Sequence, residues 1–135
     1  MKNRLATASL IVRLALAATF LSAVFSRLGF LGSASSGWES FVEYTAEVNS
    51  FAPASIIPFL AVTATIAESL IALLLIVGYK TRWVAIGAST LTCVFALAMT
   101  YSFGLKSPLD YSVFVDSSAA LLLATMPGYK WSLDE

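Results

Sequence analysis

The sequence predicts an all-α membrane protein: an up-down-up-down bundle of four transmembrane helices with a short amphipathic helix in the first outer loop. Of the 135 residues, 59% are hydrophobic and only 12% are charged. An ordinary soluble domain is about 45–50% apolar and about 25% charged. Four apolar segments approach the roughly 20 residues that a spanning helix needs. The whole chain, residues 1–135, is therefore expected to form a single membrane domain.

The connections between the apolar segments predict how the helices are arranged. The second and third segments are each followed by a very short connection, so successive helices must run antiparallel. Gly78 comes directly after the second segment and is expected to end that helix. The first segment follows a start that resembles a signal peptide, but Arg13 interrupts its apolar run, so we expect it to be retained as a helix. The four segments are residues 6–25, 55–77, 83–103 and 109–126.

The distribution of charged residues predicts the orientation in the membrane. Basic residues are enriched on the cytoplasmic side of membrane proteins. In a four-crossing chain one side carries Lys2, Arg4, Lys80, Arg82 and Lys130. The other side carries Arg27 and Lys106, but also Glu39, Glu43, Glu47 and Asp110. Both termini are therefore expected in the cytoplasm.

The outer loop, residues 28–54, is too long to lack structure in so small a protein. Ser36 and Glu39 have the spacing of a capping box, and Pro53 is expected to end the helix that follows. Trp38 and Phe41 fall on its apolar face, so we predict an amphipathic helix on the membrane surface. It either covers the outer end of the bundle or forms a lid over a lateral ligand entrance, in which case Trp38 is a candidate ligand contact.

Three ionisable residues lie within the apolar segments: Arg13, Glu68 and Asp116. Such residues are costly in lipid and usually face the bundle interior or one another. Small residues form stripes along the helices, such as those that contain Ala72 and Ala88, and we expect these stripes to pack inward while large Leu, Ile and Phe side chains meet lipid. From the rise of an α-helix per residue, the three ionisable residues lie roughly 10–15 Å from the cytoplasmic ends of their helices, in one layer. We expect Arg13 to pair with Glu68, although pairing with Asp116 stays open. The tilt of side chains toward their own helix N-terminus moves Arg13 away from both carboxylates, but the long arginine side chain can compensate for it.

This charged layer is the candidate functional site. Glu68 and Asp116 are candidate catalytic residues, because a carboxyl group can exchange a proton with a bound small molecule. The candidate ligand-binding residues are Arg13, Glu68, Arg27, Thr65, Thr92 and Trp38. The alternative is that the charges only fix the register of the helices. A second polar group, formed by Arg27, Lys106, Asp110 and Tyr111, is expected at the outer interface, where such side chains are ordinarily solvated.

Composition excludes several classes of function. There is no histidine and only one cysteine, Cys93, so the chain offers no usual haem ligand, no CxxC pair and no predicted metal site. The net charge is zero and no basic run exists, so nucleic acid is not an expected partner. Any electrons would have to come from a bound cofactor or a partner protein.

Several segments resemble the DoxX family. They are the first helix with Arg13 and Arg27, Thr65-Ile66-Ala67-Glu68 running into Leu74-Leu75-Ile76-Val77-Gly78, then Thr81-Arg82, the Lys106-Ser107-Pro108-Leu109-Asp110-Tyr111-Ser112 segment, and Trp131-Ser132-Leu133-Asp134. The resemblance implies a multi-pass protein of the bacterial inner (cytoplasmic) membrane, and some members are linked to quinone chemistry. It marks Arg13, Glu68, Arg27 and Arg82 as family-like positions, whereas Asp116 comes from the residues alone. Related redox proteins carry cysteine pairs that are absent here.

The leading hypothesis is a redox-associated subunit that binds a quinone or another lipidic molecule beside the intramembrane charges and receives electrons from a partner protein. The alternatives are a non-catalytic structural or assembly subunit, and a small transporter or lipid-binding protein. A homo-oligomer is also open, because small residues on helix faces serve packing within one chain and between copies equally well.

Overall fold

The computed structural model describes residues 2–134, with the side chain of Lys2 outside the described part, and this part of the chain contains helices and turns but no strand. The helices, in chain order, are α1 (Lys2–Arg27), α2 (Trp38–Val48), α3 (Ile57–Val77), α4 (Thr81–Phe103), α5 (Lys106–Asp110) and α6 (Val113–Ala124). Short 3-10 turns at Gly32–Ala34 and Ala54–Ile56 flank α2.

Three of the described helices are long and apolar enough to cross a membrane: Asn3–Arg27, Ala54–Val77 and Thr81–Phe103. They correspond to the first three predicted segments. The fourth segment, residues 109–126, does not form one continuous helix. The backbone of Ser112 adopts a left-handed conformation, with φ of 58°, and separates α5 from α6. Helix α6 alone extends roughly 18 Å, which is shorter than the hydrocarbon core of a bilayer.

Four helices pack around a common interior: α1 contacts α3, α3 contacts α4, α4 contacts α6, and α6 contacts α1. Small residues line these contacts, and Ala72, Ala85, Ala88 and Ala120 are fully buried. Such residues let helix backbones approach closely in a membrane. Large apolar side chains, including Ile11, Phe59, Leu70, Leu97 and Leu121, point outward. The predicted pattern of small residues inside and large residues outside is confirmed.

Reciprocal hydrogen bonds join α4 to α6. The Ser89 hydroxyl donates to the Ser117 carbonyl at 2.9 Å, and the Ser117 hydroxyl donates to the Ser89 carbonyl at the same distance. Hydrogen bonds between helices replace the hydrophobic driving force that is absent in lipid. They hold α6 against α4 although α6 is short.

The predicted helix in the outer loop is present as α2, but it ends at Val48, before Pro53, and its N-terminus differs from expectation. Gly37, with φ of 87°, precedes the helix, and no side chain caps it. Ser36 instead contacts Ser26 at the end of α1, with its amide donating to the Ser26 hydroxyl at 3.0 Å. At the other end the Ser102 hydroxyl donates to the Val48 carbonyl. These contacts hold α2 across α1, α3 and α4.

A segment that we call the C-terminal strap, residues 129–134, crosses the turn between α3 and α4. The amides of Leu133 and Asp134 donate to the carbonyls of Val77 and Gly78, each at 3.1 Å. The Asp134 carboxylate accepts the backbone amides of Lys80 at 2.8 Å and Thr81 at 2.6 Å. It therefore caps the N-terminus of α4 from a distant part of the sequence.

The predicted helix stop at Gly78 is confirmed. Gly78 has φ of 72°, and its amide donates to the Leu74 carbonyl at 2.8 Å. A Cβ atom there would lie 2.8 Å from the Cα of Ser132 and would overlap its Cβ. Glycine is thus required twice, by the left-handed backbone and by the close passage of the strap.

Candidate functional site

Arg27 and Glu68 form a buried ion pair between α1 and α3. Nη1 of Arg27 donates to Oε2 of Glu68, and also to the hydroxyl of Thr65 at 3.3 Å. Glu68 is only 3% exposed, and Arg27 is also buried. The Thr65 hydroxyl in turn donates to the Ala61 carbonyl at 2.9 Å, which fixes its orientation.

The directions of the two helices explain this pair. Arg13 of α1 lies beside Gly78 at the end of α3, whereas Arg27 meets Glu68 farther back along α3, so α1 and α3 run in opposite directions. Each side chain tilts toward the N-terminus of its own helix. In antiparallel helices this tilt brings Arg27 and Glu68 toward each other.

Helix α2 completes the surroundings of the pair. The guanidinium carbon of Arg27 lies 3.8 Å from the centroid of the Phe41 ring. This distance is that of a cation–π contact. Trp38 packs on Phe41, with ring centroids 5.7 Å apart, and Phe41 is the ring that contacts the guanidinium. The predicted ligand contact of Trp38 therefore has no direct geometric support, because Phe41 and not Trp38 lines the interior beside Arg27.

A cavity of about 460 Å³ opens beside the Arg27–Glu68 pair. Ligand-binding cavities of proteins typically measure about 300–1,000 Å³ and are mostly apolar, with a few polar groups. Here apolar side chains of α1, α2, α3, α4 and α6 form most of the walls, and the larger ones include Phe20, Phe41, Val48, Leu91, Phe95 and Met99. The cavity therefore combines a ligand-sized apolar volume with one charged pair.

Arg27 keeps hydrogen-bonding capacity for a ligand. A guanidinium carries five N–H donors. Among the described residues, Arg27 donates hydrogen bonds only from Nη1. The N–H donors on Nε and Nη2 therefore remain available. Neither nitrogen is buried without a partner, and Arg27 itself lines the cavity. A hydrogen-bond acceptor in the cavity can therefore contact Arg27 without displacing Glu68.

Asp116 and Thr92 also line the cavity. Asp116 is half-buried, and its carboxylate makes no hydrogen bond or ion pair within residues 2–134. The Thr92 hydroxyl donates to its own helix, to the Ala88 carbonyl at 2.8 Å, and can still accept a hydrogen bond. The structure thus brings Glu68, Arg27, Asp116 and Thr92 together around one volume, with Thr65 supporting the pair from behind.

The predicted pair between Arg13 and Glu68 does not form. Arg13 is 1% exposed, and its Nη1 and Nη2 donate to the carbonyls of Lys130 at 3.0 Å and Trp131 at 2.8 Å. It tilts toward the N-terminus of α1, away from Glu68, and meets the C-terminal strap instead. Arg13 is outside the cavity lining, so its expected role as a ligand contact is replaced by a contact that holds the strap.

The predicted outer polar group is divided in the structure. Lys106 and Asp110 form an exposed ion pair at 2.6 Å, one turn apart on α5. Arg27 turns inward to Glu68, and Tyr111 lines the cavity. The prediction of solvated side chains at the outer interface thus fits Lys106 and Asp110 but not Arg27. The position of Arg27 could have been found from α1 itself, because it follows Arg13 by nearly a whole number of helical turns and so lies close to the same helix face.

Sequence reasoning also missed Tyr44 of α2 and Asn49 directly after α2, which both line the cavity. Burial, together with the nearby Tyr111 and Glu47, raises the pKa of Tyr44. Its phenol therefore stays protonated at neutral pH and can donate a hydrogen bond. The apolar face of α2 indicated that the helix packs on an apolar surface. Nothing in the sequence indicated that polar residues beside that face would line a cavity.

Among residues 2–134, no group of three His, Cys, Asp or Glu side chains could hold a metal ion. A model of the DoxX family matches residues 8–101, which include Arg13, Arg27 and Glu68 but neither Asp116 nor the C-terminal strap. No curated protein and no solved structure matches the chain. Because the match covers well over half of the sequence and three helices within residues 2–134 are long and apolar enough to span a membrane, this is a membrane protein that belongs to the DoxX family.

Proposed function

We propose that this protein binds a quinone or another lipidic small molecule beside Arg27 and Glu68, and that it serves as a redox-associated membrane subunit. One observation carries the proposal: the buried ion pair borders a ligand-sized cavity that is otherwise walled mainly by apolar side chains. A molecule with hydrogen-bond acceptors at one end and an apolar body suits such a volume.

Each charged residue of the cavity would have its own task. Arg27 holds an acceptor oxygen through its Nε and Nη2 donors. Asp116, which has no partner within the described residues, is the carboxyl group best placed to exchange a proton with the ligand, while Glu68 keeps Arg27 in position. A bound quinone would supply the electron-accepting chemistry, with electrons delivered by a partner protein.

The same proposal includes the membrane topology. α5 and α6 would together complete a fourth crossing, giving an up-down-up-down bundle in the bacterial inner membrane with both termini in the cytoplasm. The excess of basic residues near the α3–α4 turn and the C-terminal strap supports this orientation. Single cysteines in a Cys93→Ser background test it. Glu39→Cys and Leu109→Cys should react with a membrane-impermeant maleimide in intact cells, whereas Asn3→Cys should react only after permeabilisation. The reverse pattern would overturn the orientation.

Ligand binding is tested with purified protein in nanodiscs and 2,3-dimethoxy-5-methyl-benzoquinone, a quinone headgroup without a chain. The wild type should bind this probe, Glu68→Gln should bind it at least about tenfold more weakly, a loss of about 1.4 kcal/mol, and Asp116→Asn should bind it more weakly as well. Glu43→Gln is the matched control, because Glu43 is an exposed carboxylate of α2 outside the cavity lining. If folded wild-type protein does not bind the probe, the proposed function is wrong.

A structural or assembly subunit is the second candidate, and one observation favours it. The charges of the ion pair satisfy each other, and Thr65 and Phe41 add further contacts to Arg27 without any ligand. Under this alternative the pair only holds α1 against α3. Breaking it would destabilise the protein, and the wild type would not bind the quinone. A transporter would instead require a water-filled path from the cavity to one face of the membrane.

A further inference from the structure

The side of the cavity between α3 and α4 differs in chemistry from the side that holds the charges. α3 contributes Leu60, Thr63, Ala64 and Ala67 to the lining, and α4 contributes Leu91, Val94, Phe95 and Ala98. All of these except Thr63 are apolar. Of the ionisable lining residues, Arg27 and Asp116 belong to α1 and α6, and Glu68, although on α3, points toward α1, where it pairs with Arg27. The cavity is therefore polar around the Arg27–Glu68 pair and apolar between α3 and α4.

The cavity reaches the outer surface of the protein at this apolar side. Thr63 and Val94 both line the cavity and are both exposed, with Val94 55% exposed. Thr63 lies roughly 9 Å along α3 from its first residue, and Val94 lies roughly 14 Å before the end of α4. Both helices are long enough to span a membrane. This opening therefore lies at the depth of the lipid chains and not at the water interface.

Neighbouring side chains on the same outer surface are also those of a lipid-facing wall. Ile66 of α3 and Leu97 of α4 lie one turn beyond Thr63 and Val94, and both are exposed. The rise along α3 from Thr63 to Glu68 is only about 7.5 Å. The opening and the ion pair therefore lie within about one and a half turns of each other along α3.

We infer that the gap between α3 and α4, bounded by Thr63 and Val94, is a lateral portal through which the ligand enters from the bilayer. The occupant is a lipid-soluble molecule with a long hydrocarbon chain, and its chain lies between α3 and α4 while its headgroup contacts Arg27. This inference rests on the proposed function, because it assigns the ligand class and the entry route of the same cavity.

The test compares two probes on the same nanodisc samples: the chainless benzoquinone named above and the same headgroup carrying a decyl chain. Val94→Trp should weaken binding of the decyl probe about tenfold, or about 1.4 kcal/mol, because the indole fills the space of the chain. It should leave binding of the chainless probe within about twofold, or about 0.4 kcal/mol. Thr63→Trp, on the opposite edge of the portal, should have the same selective effect.

Leu97→Trp is the matched control. Leu97 is on the same helix, is 59% exposed and is outside the cavity lining, so both probes should bind this variant as they bind the wild type. The inference is overturned if the decyl probe binds Val94→Trp and Thr63→Trp as tightly as the wild type, or if the two probes are weakened equally. Absence of binding of either probe to the wild type would instead overturn the proposed function.

Discussion

Arg27 donates a hydrogen bond to the carboxylate of Glu68, although 41 residues separate the two in the sequence. The pair closes the α1–α3 interface at the level of the cavity, and its members are buried together. A buried charge without a partner is far more costly than a buried pair. The two residues are therefore coupled energetically, so the cost of changing one depends on whether the other is still present.

Glu68→Gln or Arg27→Met alone should destabilise the folded protein by about 3–5 kcal/mol, because each leaves one buried polar partner uncompensated. The free energy of unfolding in detergent measures this effect. The double variant Arg27→Met/Glu68→Met should recover much of the loss, since no charge then remains buried. A double variant whose loss equals the sum of the single losses would show that the pair is not coupled.

Arg13→Leu should destabilise the protein by about 1–3 kcal/mol, because the carbonyls of Lys130 and Trp131 lose their donors. The damage should be confined to the C-terminal strap, which limited proteolysis would detect as faster cleavage after residue 128. Quinone binding should change little, because Arg13 is outside the cavity lining. A loss of binding as large as that of Glu68→Gln would contradict this separation of the two arginines.

Gly78→Ala should be strongly destabilising, because the backbone is left-handed there and the added Cβ would overlap the Cβ of Ser132. Gly87→Ala is the matched control. Gly87 is inside α4 with nothing within 4 Å of an added Cβ. Alanine there should be neutral or stabilising by up to about 1 kcal/mol. Thermal unfolding of the two variants checks the prediction, and equal midpoints would contradict the described path of the strap.

Asp134 should make the stability of the protein depend on pH in the acid range. Burial raises the pKa of this carboxyl group, but hydrogen bonds from Thr81 and Lys80 and the charge of Arg13 outweigh burial, so the pKa lies below its usual value. A carboxyl group with a lowered pKa in the folded state stabilises the fold above the unfolded pKa of about 3.9. This stabilisation is lost as the pH falls through the lower folded value.

The measurement is the difference in unfolding midpoint between the wild type and Asp134→Asn across a pH series. The difference should be constant above about pH 5 and should shrink steadily below about pH 4. Asp110→Asn is the control, because the exposed pair of Asp110 with Lys106 contributes little stability. A difference that grows as the pH falls would contradict the described contacts of Asp134.

Much of this fold could be predicted from the sequence, because the bilayer restricts the possibilities. Long apolar runs must be helical to satisfy their backbones, which accounts for α1, α3 and α4, and the spacing of small residues such as Ala72 and Ala88 indicated their inward faces. Gly78 ended α3 as expected. The fourth segment was less predictable, because the left-handed backbone of Ser112 depends on how α5 folds back onto the bundle and not on hydropathy.

For the candidate site, the sequence indicated residues but not their contacts. Arg13, Glu68 and Asp116 were selected because ionisable residues are costly within apolar segments, and Arg27 was selected from the family resemblance. Their partners depended on helix direction and side-chain tilt, and depth alone assigned Arg13 to Glu68. Phe41 could not be placed over Arg27 without knowing that α2 folds across the bundle, since its apolar face alone also fits a helix resting on lipid.

The C-terminal strap has a consequence for the order in which the protein folds. The hydrogen bonds of Arg13 to Lys130 and Trp131 span 117 and 118 residues of sequence. Contacts of such separation close large loops and form slowly, after local structure. The helices can thus insert and begin to pair before the strap arrives, and until then Arg13 and the amides at the start of α4 lack their final partners. We therefore expect the strap to bind last, at the end of the bundle away from the ion pair, where it contacts Arg13 and caps α4.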